Sequence, residues 1–226
     1  MAGRASDADL AAQRDAMVDT QIAARGIRDL AVLDAMRRVP REAFIAAQLR
    51  DQAYDDTPLP IDEGQTISQP YIVALMLEAA AIRPGDRVLE VGAGSGYASA
   101  VASLLARHVD AIERHAGLAE EARERLARLG YGNVAVHCGD GSGGWPEGAP
   151  FDAILVAAGG PRVPPALREQ LAASGRLVMP VGAQSHDQRL LEITRLGAND
   201  FRETDLGGVM FVPLIGAHGW APDTQR

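Results

Sequence analysis

The sequence predicts an α/β fold: a central, mostly parallel sheet flanked by helices, with an N-terminal helical cap and C-terminal antiparallel edge strands. Three observations predict it. Short β-rich runs alternate with helical patterns from Arg87 to Pro180, the first run ends in glycines at alternate positions, and the segment before it lacks strand patterning. At 226 residues the chain suits one domain.

The elements follow in order. Asp15 to Ile22 and Leu30 to Met36 carry apolar residues at helical spacing and read as cap helices. Between Thr57 and Pro70, three prolines and Gly64 argue for an irregular loop. Pro70 suits the first turn of a helix running to about Ala81, with Ser68 or Gln69 near its cap. Arg83-Pro84-Gly85-Asp86 is turn chemistry, and β-rich runs then fall at 87–91, 109–113, 134–138, 152–157 and 175–180. Helical patterns at 97–106, 115–129 and 164–172 lie between them, which predicts a parallel sheet covered on both faces. Arg189 to Arg195 and Gly208 to Leu214 suggest strands paired at an edge.

Composition removes several classes of function. The net charge of −8, from 22 Lys and Arg against 30 Asp and Glu, opposes a phosphate backbone, and no basic run offsets it. Nucleic acid is therefore not an expected partner. No apolar run approaches the roughly 20 residues that span a bilayer, so no membrane association is expected. A single cysteine, Cys138, cannot form an internal disulfide, and the first residues show no basic stretch followed by an apolar core. A cytoplasmic location is expected.

The strongest local motif is Leu89-Glu90-Val91-Gly92-Ala93-Gly94-Ser95-Gly96-Tyr97, a buried strand ending in a glycine turn and then a helix. Only glycine lets such a turn tighten while its backbone approaches a ligand; alone, the pattern also fits a turn that is merely tight. Glu113 ends the next strand, where an acid can accept hydrogen bonds from a ribose diol, although a surface carboxylate there needs no function. The spacing G-x-G-x-G, rather than G-x-G-x-x-G, points to an adenosylmethionine site. So does Cys138-Gly139-Asp140-Gly141 past the third strand, where Asp140 can accept from an adenine amino group or close an Asx turn. Glu90, Gly92, Gly94, Gly96, Glu113 and Asp140 together resemble the ordered set of class I methyltransferases, whose sheet is Rossmann-like, and Gly141 joins them as an implied cofactor-binding residue. The resemblance implies S-adenosyl-L-methionine as cofactor and S-adenosyl-L-homocysteine as product.

Further motifs are narrower. Arg25-Gly26-Ile27-Arg28-Asp29, with Val32 to Met36 and Val39-Pro40-Arg41-Glu42-Ala43-Phe44, forms a distinctive opening. Pro58-Leu59-Pro60-Ile61 then leads to Gly64-Gln65-Thr66-Ile67-Ser68-Gln69-Pro70-Tyr71, and Gly139-Asp140-Gly141, Trp145 to Asp152 and Phe211-Val212-Pro213-Leu214 follow. These stretches cover nearly the whole chain and resemble the protein-L-isoaspartate (D-aspartate) O-methyltransferase family. Two departures stand out: Asp62-Glu63, where a glycine and a variable residue are expected, and Gly159-Gly160, where alanines are commoner.

The resemblance implies methyl esterification of the free α-carboxyl of L-isoaspartyl residues in damaged proteins and peptides, starting repair through a succinimide. A carboxyl with a reference pKa of about 3.5 to 4 is already ionised at neutral pH, so no general base is required. Placement of the carboxylate and exclusion of water are enough. By the resemblance Ser68 is the active-site residue, a hydroxyl that orients the carboxylate rather than a nucleophile; its plain alternative is a helix cap. Thr66, Ile67, Val212 and Pro213 are the implied substrate-binding residues, the last two through backbone pairing with an extended peptide. His108, His115, His137, His186 and His218 show no pairing with a nucleophile and read as structural or exposed, and no metal site is expected.

The expected organisation is one methyltransferase domain, with a helical cap and substrate loop at 1–82, a cofactor-binding core at 83–183 and closing strands at 184–226. A monomer is expected. Two other enzymatic readings remain open on sequence alone: an aspartate methyltransferase of a dedicated ribosomal peptide, and an RNA methyltransferase of the same fold. A cofactor-binding scaffold without catalysis is a third, disfavoured because every expected glycine and acid is present.

Overall fold

The computed structural model describes residues 6–183 and 187–221. Of the sequence readings, His186 and the outermost parts of the first and last segments lie outside the described residues. Seven strands form one sheet: β3 (Arg87–Val91), β4 (His108–Glu113), β5 (Val134–Cys138), β6 (Phe151–Val156), β7 (Leu171–Val181), β8 (Gln188–Arg195) and β9 (Phe201–Val209). Their order is β5-β4-β3-β6-β7-β8-β9, parallel from β5 through β7 and antiparallel from β7 to β9. The chain moves outward from β3 to β5 and then returns to lay β6 on the other side of β3. That reversal opens a crevice at the carboxyl ends of β3 and β6, the usual ligand position in such sheets.

The core lies on both faces. On β3, Val88 points to the side packed by α3 (Pro70–Ala80), α4 (Tyr97–Ser103) and α5 (Ala116–Arg128), while Leu89 and Val91 point to the other. The second face is thinner, covered by α6 (Pro165–Glu169) together with Trp145 and Leu214. The expected helix at 164–172 is therefore short, because the chain is already extended at Leu171.

The N-terminal segment is helical as expected but begins earlier, at α1 (Asp7–Met17), where Ser6 and Asp9 form a reciprocal capping box. The helix expected through Ile22 changes character after Met17, widening to a π turn at Val18–Ile22. Thr20 donates its hydroxyl to the Ala16 carbonyl at 2.7 Å, a back-bond that competes with regular helix geometry. Helix α2 (Leu30–Arg38) is capped by Asp29, which accepts from Ala31 and Val32.

Two expectations are corrected. The stretch from Thr57 to Pro70 is not wholly irregular: β1 (Leu59–Pro60) and β2 (Thr66–Ile67) pair antiparallel, Leu59 opposite Ile67. Both of those side chains are buried, and the pairing returns Thr66 to a place beside Pro60. The last strand is Phe201–Val209 rather than 208–214, because Met210 to Leu214 leave the β8 edge and run to Gly159.

Candidate active site

The β3–α4 turn is held by glycine backbone, by the Ile112 carbonyl and by Glu113. Gly92, Gly94 and Gly96 have φ of 90°, 52° and 87°, where any other side chain is strained. The N–H groups of Gly92 and Ala93 donate to the Ile112 carbonyl at 2.8 and 3.1 Å, and that of Gly96 donates to Ala93 at 2.8 Å. Glu113 completes the frame: one carboxylate oxygen accepts from Gly94 N–H at 2.9 Å and the other from His115 N–H at 3.0 Å. Each oxygen keeps a lone pair, so the residue can still accept from two hydroxyls. Gly96 serves packing, since a Cβ there would meet Leu126 at 3.1 Å where α5 crosses α4.

Glu90 is buried and takes a hydrogen bond from the Ser99 hydroxyl on α4. Burial pushes its carboxyl up to about 8; the Ser99 bond opposes this and the Glu113 charge adds to it. Burial thus favours the protonated form of Glu90.

One cavity brings together Thr66, Ile67, Ser68, Glu90, Gly92, Gly94, Glu113, Gly141, Val212 and Pro213. Val91, Ile112, Leu214 and Ile215 supply apolar wall. Gly96 and Asp140 are not on that wall. Asp140 instead accepts from Ser142 N–H at 2.9 Å and Ala217 N–H at 2.8 Å, tying the C-terminal segment to the turn after β5. Partial burial raises its carboxyl pKa, but the bonds from Ala217 and Ser142 outweigh it and leave the group below its ordinary value. Its neighbour Gly141 packs on the sheet so closely that a Cβ would lie 2.6 Å from a Val91 methyl group.

Ser68 stands where this cavity meets an open groove of about 530 Å³ lined by Thr66, Gln188, Phe211 and Val212. The helix that follows does not use it as a cap. Gln69 occupies the cap position without a side-chain cap bond, and the work is done by Asp56, remote in sequence. Asp56 accepts from Tyr71 N–H at 3.0 Å and from the Gln69 amide at 2.6 Å, and is paired with Arg25. Among the described residues the Ser68 hydroxyl has no hydrogen-bond partner. The Ser68 carbonyl, by contrast, accepts from the Arg41 guanidinium at 2.9 Å.

The opposite lip is Val212-Pro213. Gly159 N–H donates to the Val212 carbonyl at 2.8 Å, and Gly159 C=O accepts from Leu214 N–H at 2.7 Å and the Trp220 indole at 3.1 Å. Gln188 engages Phe211 twice, accepting from its N–H at 2.8 Å and donating to its carbonyl at 3.2 Å. Because the Val212 carbonyl is engaged and proline has no N–H, the lip's offer to an extended peptide narrows to Val212 N–H and the Pro213 carbonyl. The Gly159-Gly160 departure has a local reason: a Cβ would lie 2.2 Å from the Gln188 amide nitrogen at 159, and 2.6 Å from the Met179 methyl at 160. At the other departure, Glu63 adopts a φ of 56° and reaches to 3.6 Å from His115 on the cavity rim.

The remaining described histidines are held by structure. His137 bonds Asp110 at 2.9 Å and stacks on Trp145 at 3.9 Å, His108 lies 3.5 Å from the same carboxylate, and His218 donates its backbone N–H to Ser142. Among the described residues no cluster of His, Cys, Asp or Glu could hold a metal ion. Arg41, Asp56 and Gln188 are the site-building residues that sequence reasoning missed. Arg41 lay in plain view within the opening motif; no local pattern marks the other two.

Residues 12–219 match the family model for protein-L-isoaspartate(D-aspartate) O-methyltransferase. The chain is 61% identical over 211 residues to protein-L-isoaspartate O-methyltransferase 1 of Rhodopseudomonas palustris (strain HaA2), covering 93% of this chain and 86% of that one. It is also 61% identical over 213 residues to the protein-L-isoaspartate O-methyltransferase of Methylorubrum extorquens (strain PA1), covering 94% and 92%. Among solved structures, a protein-L-isoaspartate O-methyltransferase superposes with TM-score 0.81 at 29% identity, covering 91% of this chain and 67% of the other. An enzyme of that name from Plasmodium falciparum, in complex with S-adenosyl-L-homocysteine, gives TM-score 0.77 at 28% identity, covering 89% and 98%. The chain belongs to the protein-L-isoaspartate(D-aspartate) O-methyltransferase family.

Proposed function

We propose that the chain transfers the methyl group of S-adenosyl-L-methionine to the free α-carboxylate of L-isoaspartyl residues in damaged proteins and peptides. The ester then starts repair through a succinimide. The single observation that carries the reading is the Ser68 hydroxyl, unpartnered among the described residues, at the junction of a cavity with family-type cofactor residues and an open groove.

The residues fit the cofactor. Glu113 keeps acceptor capacity for a ribose diol, Val91, Ile112 and Ile215 suit an adenine ring, and the carboxyls of Glu90 and Glu113 suit a cationic ligand. When bound, S-adenosyl-L-methionine supplies a sulfonium-activated methyl group. The chain's own task is placement. The Ser68 hydroxyl donates to one oxygen of the isoaspartyl carboxylate and leaves the other free to attack. Thr66 and Ile67 flank it, and the Val212-Pro213 lip holds the peptide backbone. The substrate oxygen is ionised already, so no proton is removed at the reacting atom. In this reading Asp140 acts by holding Gly141 against the sheet, and Gly92, Gly94 and Gly96 act through the shape of the turn.

The organisation follows the same reading: one domain, with the cap and substrate loop at 1–82, the cofactor core at 83–183 and closing strands at 184–226. A cytoplasmic monomer that engages neither nucleic acid nor membrane belongs to the same reading; the net charge of −8 opposes a phosphate backbone and the lone cysteine suits a reducing compartment. Among the described residues no helix is long and apolar enough to cross a membrane. The test is transfer of labelled methyl groups to an isoaspartyl peptide and to its aspartyl twin. Labelling of the isoaspartyl peptide alone is expected; equal labelling of both, or of neither, would sink the reading.

A further inference from the structure

Arg41 is among the largest fully buried side chains of the described residues, with 0% of its surface exposed, and it makes no ion pair with any carboxylate among them. Its guanidinium donates to two backbone carbonyls, Ser68 at 2.9 Å and Thr57 at 3.4 Å, and lies 5.1 Å from the Tyr97 ring centroid. Its Nε is buried with no partner among the described residues. Burial lowers its pKa, with the charges of Tyr97, Tyr54 and Asp56 opposing. A buried cation with an orphaned donor and no paired anion is costly and adds little that a well-packed apolar side chain would not. What it gains here is geometric. Thr57 and Ser68 are the two ends of the loop that carries β1 and β2, and one planar fork reaches both.

The mounting beneath it is rigid. Arg41 opens a 3-10 turn, Arg41–Ala43, whose Glu42 is bonded by the Tyr54 hydroxyl, which in turn accepts from Arg14 of α1 at 3.2 Å. Phe44, next in the chain, packs edge-on against Tyr97 at 5.6 Å. From this base the fork grips the carbonyl of the residue whose hydroxyl faces the substrate groove. The grip falls on the Ser68 backbone and leaves its side chain untouched.

We infer that Arg41 is a positioning residue for methyl transfer, clasping the two ends of the substrate loop so that the Ser68 hydroxyl is held at the mouth of the cofactor cavity. The inference rests on the proposed role of Ser68.

A double-mutant cycle tests it. Arg41→Lys keeps the charge but offers a compact donor that cannot bridge both carbonyls, and Arg41→Gln offers a neutral single-headed donor should the lysine variant fail to fold. Binding stoichiometry of S-adenosyl-L-homocysteine counts folded sites, so lost protein cannot imitate lost positioning. Per folded site, either variant is expected to lower kcat on an isoaspartyl peptide about tenfold, with S-adenosyl-L-homocysteine affinity unchanged within about twofold. In a Ser68→Ala background the same change is expected to cost less than about twofold, because no hydroxyl remains to be positioned. A double variant that loses the full product of the two single losses would overturn the inference, as would a fall in product affinity that matches the fall in kcat. Wild-type protein that methylates no isoaspartyl peptide would instead overturn the reading of Ser68 on which it rests.

Discussion

The cofactor turn and the substrate loop sit side by side, yet they are made in opposite ways. The turn between β3 and α4 is set chiefly by its own backbone: three glycines with positive φ shape it, and Glu113 at the end of the adjacent strand frames it from 19 residues on. The loop bearing Ser68 is held from a distance, by Arg41 27 residues earlier and by Asp56, whose carboxylate reaches Tyr71 15 residues on. A turn shaped by glycines carries its path in its own backbone. The remote one frees its central side chain, since groups elsewhere do the capping and clamping that Ser68 would otherwise do.

The contrast breaks most visibly at the local end. Gly96→Val places a β-branched residue at a φ of 87°, with its Cβ 3.1 Å from Leu126, so both backbone strain and α4–α5 packing suffer. A stability loss of about 3 kcal/mol is expected in chemical denaturation. An unchanged unfolding midpoint would mean that the turn relaxes freely. The remote end is softer. Asp56→Ala removes the acceptor for Tyr71 N–H and the Gln69 amide, an N-terminal cap supplied from outside the helix, and should cost about 1 to 2 kcal/mol. Because Ser68 lies just before that helix, kcat on an isoaspartyl peptide should fall while S-adenosyl-L-homocysteine affinity holds. Loss of affinity instead would place the two regions in one unit.

The smallest effect concerns the acid between them. Glu90 is raised from 4.5 to about 8 in the folded protein, so between those values the folded state keeps a proton that the unfolded state has released. Its stabilising contribution is complete below pH 4.5 and is lost as pH rises toward 8. Relaxation around the buried site leaves a change of about 1 kcal/mol between pH 5 and 8, measurable by urea unfolding of the ligand-free protein. Glu90→Gln should flatten that slope; the same slope in both proteins would assign it to another group.

Legibility in the sequence followed the same division. The five parallel strands were readable because each is a short β-rich run bounded by turn residues, and the glycine turn because its spacing is a steric requirement. The π turn after Met17 was hidden, since Val18, Thr20 and Ile22 carry a helical pattern and only the Thr20 back-bond reveals the change. The edge was misplaced because Met210-Phe211-Val212 is more β-like than Arg202-Glu203-Thr204-Asp205, yet the latter pairs with β8 and the former is drawn off by Gly159 and Gln188. Asp140 showed how one residue type serves two readings: the acid is where the motif requires it, and its oxygens close a turn and hold Ala217. The neighbours of Ser68 were illegible for a simple reason. Nothing in the spacing of Arg41, Asp56 and Ser68 signals contact until the chain has folded.

The most direct test of this division is a pair of measurements on Ser68→Ala: kcat on an isoaspartyl peptide and affinity for S-adenosyl-L-homocysteine. Loss of one charge-assisted hydrogen bond at the substrate should lower kcat by about tenfold to a hundredfold, with affinity for the cofactor product unchanged within about twofold. Equal losses in the two quantities would make the Ser68 hydroxyl part of cofactor binding and contradict the separation of the two regions.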